Sequence, residues 1–174
     1  MLPTVIVLAS GRGERFLASG GSTHKLQANL AGKAVLQHTL DAVKASGLPW
    51  HLEVGAHPGM GDSIAAAVNA TPRSPGWLIL PADLPLIQSE TLCAVAESLR
   101  SHEVVVPVYL GQRGHPVGFS AACGAALMNL TGDKGAGRLI PGYESFDLHV
   151  DDVGCLTDID TVDDLLRAER WLAG

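Results

Sequence analysis

A chain of 174 residues with 47% hydrophobic and 17% charged residues has the composition of one folded domain, which excludes a disordered protein. Its net charge of -6, with no basic stripe, argues against a nucleic-acid-binding protein. No apolar stretch approaches the ~18 residues needed to cross a bilayer. We therefore predict a single domain over residues 1–174 that binds neither nucleic acid nor membranes.

The three cysteines indicate a reducing compartment. Cys93, Cys123 and Cys155 lie about 30 residues apart, which fits neither a disulfide framework nor a zinc site. We expect small buried thiols and a cytoplasmic location. The N-terminus lacks the basic region of a secretory signal and is interpreted as a first strand.

Short apolar runs alternate with helical patterns along the chain. Strands are predicted at residues 4–9, 50–55, 77–83 and 104–108. Helices are predicted at residues 34–46, ending at Gly47, at 63–69, from Ser89 with its hydroxyl as the cap, and from a Thr161–Asp164 capping pattern. This alternation predicts an α/β fold, a Rossmann-like, doubly wound and mostly parallel sheet between helical layers. Ligands bind beyond the carboxyl ends of such strands, so residues 10–15, residues 55–61 and Asp83 should line one crevice.

The sequence LASGRGERF (residues 8–16) follows the first strand and has two glycines and two arginines. It lacks the third glycine of a dinucleotide fingerprint and the G-K-[ST] of a Walker A loop. Gly11 and Gly13 allow backbone amides to approach phosphate oxygens, and Arg15 adds a bidentate cation. Either a small anion binds here, or the segment is a plain strand-to-helix turn with surface arginines.

Two acidic segments suggest a metal site. Asp83 follows an apolar strand between Pro81 and Pro85, where a carboxylate could hold Mg²⁺ or form an Asx turn. We expect Asp158 and Asp160 to point to opposite sides, so that only one of them faces the crevice. We select Asp160, with a role in capping the last helix as the alternative.

Two further segments carry cations beside glycines. In GQRGHPVGF (residues 111–119), Arg113 and His115 offer donors to an anion or a heterocycle, in a sharp turn between two strand-like runs. In TGDKGAGR (residues 131–138), Lys134 and Arg138 at a predicted helix start form a secondary anion-site candidate.

Six motifs, in order, resemble those of MobA-like nucleotidyltransferases, in the molybdenum cofactor cytidylyltransferase branch. They are LASGRGERF with Lys25, GMGDSIAAAV, PADLPL, RGHPVGF, TGDKGAGRLI and DIDTVDDL. The resemblance implies a three-layer sheet of the nucleotide-diphospho-sugar transferase type. It also implies Mg²⁺-dependent transfer of a nucleoside monophosphate from an NTP to a molybdopterin-type phosphate, with release of pyrophosphate. Ser10 stands where this family has Ala in cytidylyl enzymes and Gly in guanylyl enzymes, which favours CTP over GTP.

The resemblance also assigns roles to residues. The nucleotide would contact Leu8, Ala9, Ser10, Gly11, Arg12, Gly13, Arg15, Lys25, Met60, Gly61 and Ser63. Arg15, Lys25 and Asp83 would be catalytic, and Asp83 and Asp160 would hold the metal. The acceptor would contact Arg113, Gly114, His115, Pro116 and Lys134. We expect a monomer that hands its product to a molybdoenzyme or its chaperone.

Two alternatives remain open from the sequence. A sugar-phosphate nucleotidyltransferase would share the loop and the carboxylates, but RGHPVGF has no obvious role in one. A non-catalytic nucleotide- or molybdopterin-binding accessory protein is favoured by the short region between Gly47 and Gly59, which has room for a single strand where relatives have a strand, a helix and a strand.

Overall fold

The computed structural model describes residues 1–10, 17–21 and 24–174. The loop residues Gly11, Arg12, Gly13 and Arg15 lie outside the described residues, so their predicted phosphate contacts stay predictions. In the described part of the chain, no helix is long and apolar enough to cross a membrane.

The described chain contains nine strands and five α-helices. The strands are β1 (Thr4–Leu8), β2 (Asn29–Leu30), β3 (Lys33–Ala34), β4 (Trp50–Glu53), β5 (Gly76–Pro81), β6 (Val104–Tyr109), β7 (Gln112–Arg113), β8 (Val117–Ser120) and β9 (Ser145–His149). The helices are α1 (Val35–Ser46), α2 (Met60–Ala70), α3 (Ser89–Ser98), α4 (Gly124–Met128) and α5 (Val162–Ala173). The predicted strands and helices are confirmed to within a few residues at their ends.

Seven strands form one sheet in the order β4-β1-β5-β8-β6-β7, with β9 pairing with β6. The β4–β1, β1–β5 and β6–β9 pairs are parallel, whereas β8 runs antiparallel to both β5 and β6. The predicted α/β class is confirmed. The reversal at β8 makes the sheet mixed, and the carboxyl ends of β4, β1 and β5 still meet at one edge.

The two faces of the sheet pack against separate helices because strand side chains alternate. On β1, Val5 and Val7 belong to the core under α1 and α3, whereas Ile6 belongs to the core under α2 and α4. The buried strands are apolar on both faces, as expected for a sheet covered by helices on both sides.

Helix α1 ends as its sequence predicts. Gly47 takes the left-handed conformation at φ 73° and its amide donates to the carbonyl of Lys44. Helix α5 begins with the predicted capping box, in which the Thr161 hydroxyl and the Asp164 carboxylate each accept from the other residue's amide.

Two local predictions are wrong. Ser89 does not cap α3, because the N-cap is Gln88 and the carboxylate of Asp152 accepts from the Gln88 amide and the Thr91 hydroxyl. Cys93 is exposed, whereas Cys123 and Cys155 are buried as predicted, and all three are free thiols.

The region between Gly47 and Gly59 holds the single strand β4, as its length predicts. Within the described residues, β4 pairs with β1 and forms one edge of the sheet. Its Trp50 is 39% exposed and lies under the Lys44 ammonium, which is 5.7 Å from the ring centroid.

Candidate active site

Two adjoining cavities open at the carboxyl edge of the parallel strands. The larger has a volume of about 530 Å³ and the smaller about 140 Å³. Lys25, Met60, Pro81 and Asp83 line both of them and therefore mark the boundary between the two. Of the residues predicted to line one crevice, Ser10, Met60 and Asp83 line these cavities, and Asp83 borders both.

The position of Asp83 follows from the end of β5. The amide of Ala82 donates to the carbonyl of Leu8 at 3.0 Å, and the Thr39 hydroxyl donates to the carbonyl of Ala82 at 2.7 Å. Asp83 comes one residue beyond this anchored peptide, and its side chain is 15% exposed. The carboxylate is thereby held at the mouth of the strand.

Asp158 and Asp160 both face the crevice, which corrects the prediction that only one could. The premise of that prediction was wrong, because residues two apart in an extended chain point to the same side and the residue between them points away. That residue, the fully buried Ile159, donates its amide to the carbonyl of Asp83 at 2.9 Å. Asp158 and Asp160 flank this anchor, and both line the larger cavity.

Asp83, Asp158 and Asp160 form an acidic cluster in which one carboxylate oxygen of each residue lies within 4.8 Å of the others. Burial, together with the negative charges of Asp83 and Asp160, raises the pKa of Asp158. An all-oxygen donor set with this crowding of charge fits a hard divalent cation such as Mg²⁺ or Mn²⁺. The residues present therefore suit the metal that the sequence implies.

Lys25 supplies a positive charge to the same cluster. Its ammonium Nζ lies 2.8 Å from Oδ2 of Asp83 and 3.2 Å from Oδ1 of Asp160. Burial alone would lower the pKa of Lys25, but the two carboxylates outweigh it and raise the pKa, so the side chain is charged at neutral pH. The predicted site residues Lys25, Asp83 and Asp160 are thus brought together from three distant parts of the chain.

The smaller cavity contains the described start of the glycine loop. Leu8, Ala9 and Ser10 line it, beside His24 and Leu26. The hydroxyl groups of Ser10 and Ser63 are 2.7 Å apart and hydrogen bonded. This hydrogen bond connects the residues after β1 to the first turn of α2.

The other α2 residues with predicted nucleotide contacts differ in their accessibility. Met60 is 52% exposed and lines both cavities. The amide of Gly61, at the N-terminus of α2, donates to the carbonyl of Gly132 at 2.8 Å. This amide is therefore already hydrogen bonded to the segment that follows α4. A Cβ at Gly61 would lie 2.8 Å from the carbonyl oxygen of Thr131, which explains why glycine is needed there.

Gly114 and His115 form one wall of the larger cavity. The amide of Gly114 donates to Pro107 and that of His115 donates to Cys155. A Cβ at Gly114 would lie 2.3 Å from the carbonyl oxygen of Cys155, so only glycine allows this close approach. Desolvation by the surrounding walls lowers the pKa of His115 below 6.5, while the charge of Asp83 opposes the shift.

The remaining predicted acceptor residues lie further out. Arg113 lines the larger cavity, but its Nη2 pairs with Oδ1 of Asp147 at 2.9 Å on the half-exposed rim. Pro116 is buried, Lys134 is exposed, and neither is among the residues that line the cavity. Lys134 lies instead in the segment that covers the start of α2.

Sequence reasoning missed two polar clusters near the crevice. Asp152 is 2% exposed, and its carboxylate also accepts from the amide of Gly154. At the end of β4, Glu53 accepts from His51 and His57, each at 3.0 Å. Burial would raise the pKa of Glu53, but these two hydrogen bonds lower it. The H-x-E-x-x-x-H spacing of His51, Glu53 and His57 is the sequence pattern that could have indicated this second cluster.

Comparisons with known proteins agree with this architecture. Rv0371c from Mycobacterium tuberculosis has a TM-score of 0.82 at 25% identity, with 98% of each chain covered. A structure of Rv0371c in complex with manganese has a TM-score of 0.77 at 24% identity, covering 98% of this chain and 99% of that one. A nucleotidyl transferase from Methanothermobacter, with a TM-score of 0.82 at 19% identity over 99% of this chain and 98% of that one, shows the same fold. The sheet and its helices are thus those of the Rossmann-like nucleotidyltransferases.

The family is defined by sequence as well. The family model for the MobA-like NTP transferase domain matches residues 41–147. The purine catabolism protein PucB of Bacillus subtilis is 32% identical over 131 residues, which are 71% of this chain and 63% of that protein. This chain therefore spans less than two thirds of the length of that curated relative. The chain belongs to the MobA-like NTP transferase family.

Proposed function

We propose that this protein is a single-domain nucleotidyltransferase over residues 1–174. It transfers a nucleoside monophosphate from an NTP to a phosphate group on a second substrate and releases pyrophosphate. CTP is the favoured donor, with GTP as the other choice, and a molybdopterin-type phosphate is the proposed acceptor. The family membership supports the reaction class, and the sequence motifs support the choice of substrates.

The observation that carries the proposal is the position of Lys25 and Asp83 on the boundary between the two cavities. Transfer between two phosphates requires both substrates to meet at one point, where their negative charges repel each other. A cation and a metal-binding carboxylate at the junction of two cavities provide that meeting point. We assign the triphosphate of the nucleotide to the smaller cavity and the acceptor to the larger.

In this assignment the protein contributes mainly position and charge. Lys25, together with the predicted cation Arg15, would bind the triphosphate, and the hydrogen-bonded pair of Ser10 and Ser63 would fix the wall beside it. His115, whose lowered pKa keeps the imidazole neutral at pH 7, would donate one hydrogen bond to the acceptor.

Asp83, Asp158 and Asp160 would hold Mg²⁺, which when bound neutralises charge on the phosphates and on the leaving pyrophosphate. Manganese bound to a similarly folded protein, Rv0371c, supports a divalent ion. The arrangement of the three carboxylates supports a metal site that includes Asp158 as well as Asp83 and Asp160.

The test is release of pyrophosphate from CTP, GTP and ATP, each measured without acceptor, with molybdopterin and with a sugar phosphate, and in each case with and without Mg²⁺. We expect release that needs both acceptor and Mg²⁺ and is fastest with CTP. Release with a sugar phosphate but not with molybdopterin would replace the proposed acceptor. Nucleotide binding without release under any condition would contradict the proposal and favour an accessory protein.

A further inference from the structure

Lys25 has a second relation to the acidic cluster that is separate from any contact with a nucleotide. Its ammonium group already lies among the carboxylates, 2.8 Å from Asp83 and 3.2 Å from Asp160, with only 16% of the side chain exposed. An ammonium at these distances directs N–H groups at the oxygen lone pairs that a metal ion needs. It also places a positive charge within a few ångströms of any ion bound there.

The backbone of Lys25 lies in a short helical turn, and its side chain borders both cavities. Lys25 begins the 3₁₀ turn Lys25–Gln27, in which Leu26 is buried and its amide donates to Nδ1 of His24. The four-carbon side chain extends from this fixed point. Because Lys25 lines the smaller cavity as well as the larger, its ammonium can leave the carboxylates without entering bulk water.

We propose that Lys25 is an internal counter-cation that competes with a divalent metal ion for the acidic cluster. Among the described residues, the three carboxylates and the Lys25 ammonium sum to a charge of -2, so the lysine neutralises part of the charge that attracts the metal. Binding of the metal alone is therefore weakened. The inference rests on the proposed function in one respect: a triphosphate in the smaller cavity would draw the ammonium away and open the carboxylates to the metal.

The experiment measures Mn²⁺ affinity at pH 7.5 without nucleotide. Electron paramagnetic resonance gives the concentration of free Mn²⁺. We expect Lys25→Met to bind Mn²⁺ at least tenfold more tightly than the wild type. Lys25→Gln, which keeps a hydrogen-bond donor but no charge, should behave in the same way and serves if the methionine variant folds poorly. Lys33→Met is the matched control, because Lys33 pairs with Asp41 on the surface and its loss should leave Mn²⁺ affinity unchanged.

Thermal unfolding gives a second readout. In EDTA, both Lys25 variants should melt below the wild type, because the acidic cluster has then lost the ammonium charge of Lys25. Added Mn²⁺ should raise the melting temperature of these variants by more than it raises that of the wild type.

The outcomes separate this inference from the proposed function. Equal or weaker Mn²⁺ binding by both folded Lys25 variants would overturn the competition while leaving the metal site in place. No Mn²⁺ binding by the wild type or by either variant would overturn the metal site and the inference together.

Discussion

The amide of Ile159 donates a 2.9 Å hydrogen bond to the carbonyl of Asp83, and this contact assembles the acidic cluster. It joins the second residue after β5 to a segment that begins 75 residues later in the chain and leads into α5. Ile159 is fully buried, so the hydrophobic core fixes the anchor while the aspartates on either side reach the crevice. A backbone contact thus sets the geometry of the three carboxylates.

Asp152 should be among the most important polar residues for stability. Its buried carboxylate accepts from the Gln88 amide, the Thr91 hydroxyl and the Gly154 amide. Asp152→Ala leaves these donors unpaired, and we expect a loss of about 3 kcal/mol in the free energy of unfolding.

Urea unfolding measures the effect of Asp152→Ala, and its exposed neighbour provides the control. Asp151→Ala should change stability by no more than about 0.5 kcal/mol. Similar small changes in both variants would show that the Asp152 network contributes little.

Thiol chemistry should distinguish Cys93 from the two buried cysteines. Burial, with the nearby charge of Asp152, raises the pKa of Cys155 to about 11, and burial also raises the pKa of Cys123. At pH 8 a thiol with that pKa is about one part in a thousand thiolate, and the thiolate is the reactive form.

We expect one thiol per native chain to react rapidly with a colorimetric disulfide reagent at pH 8, and three to react in guanidinium. Cys93→Ser should abolish the rapid phase. A second native thiol reacting as fast as Cys93 would contradict the burial of Cys123 and Cys155.

His115 should titrate below its ordinary pKa of 6.5, because the crevice walls disfavour the charged ring. A nuclear magnetic resonance titration in EDTA, assigned with His115→Gln, measures this directly. Since the Asp83 charge raises the pKa, Asp83→Asn should lower it further. A value above 6.5, or no response to Asp83→Asn, would contradict the geometry.

The lowered pKa of His115 also makes the stability of the protein depend on pH. In the interval between the folded pKa and 6.5, the unfolded chain binds more protons at His115 than the folded chain does. The contribution of His115 to stability is therefore fully present above pH 6.5 and is lost as the pH falls through that interval. Unfolding of His115→Gln should be correspondingly less sensitive to pH there.

Ser10 provides a test of nucleotide choice. Ser10→Gly removes the side chain that is hydrogen bonded to Ser63, and we expect the ratio of kcat/KM for GTP over CTP to rise roughly tenfold. Ser63→Ala is the matched control, since it removes the same hydrogen bond without opening space at position 10. An unchanged ratio in Ser10→Gly would remove this position from nucleotide selection.

Local sequence patterns predicted the elements that depend on local physics. Continuous apolar runs predicted β1 and β5, Gly47 predicted the end of α1, and the Thr161–Asp164 pair predicted the start of α5. Asp83 was predicted from its place after a buried strand. Each of these signals lies within a few residues of the feature it specifies.

The features that were missed depend on distant partners. The acceptor at the start of α3 is Asp152, which lies more than 60 residues away, so the nearby Ser89 gave a false signal. The exclusion of Asp158 was wrong because residues two apart share one side of an extended chain, and what places both aspartates beside Asp83 is the distant hydrogen bond from Ile159. A single sequence does not show which distant segments pair.

The effect of Asp83→Asn on acceptor-dependent release of pyrophosphate shows whether the Asp83 carboxylate is needed for nucleotidyl transfer. The substitution keeps the shape of the side chain but removes the charge that faces Lys25 and would hold the metal, and Asp151→Asn serves as a surface control. We expect kcat/KM to fall about a thousandfold, equivalent to about 4 kcal/mol of transition-state stabilisation, with folding intact and the control near wild type. Turnover close to that of the wild type in a folded Asp83→Asn protein would contradict the account.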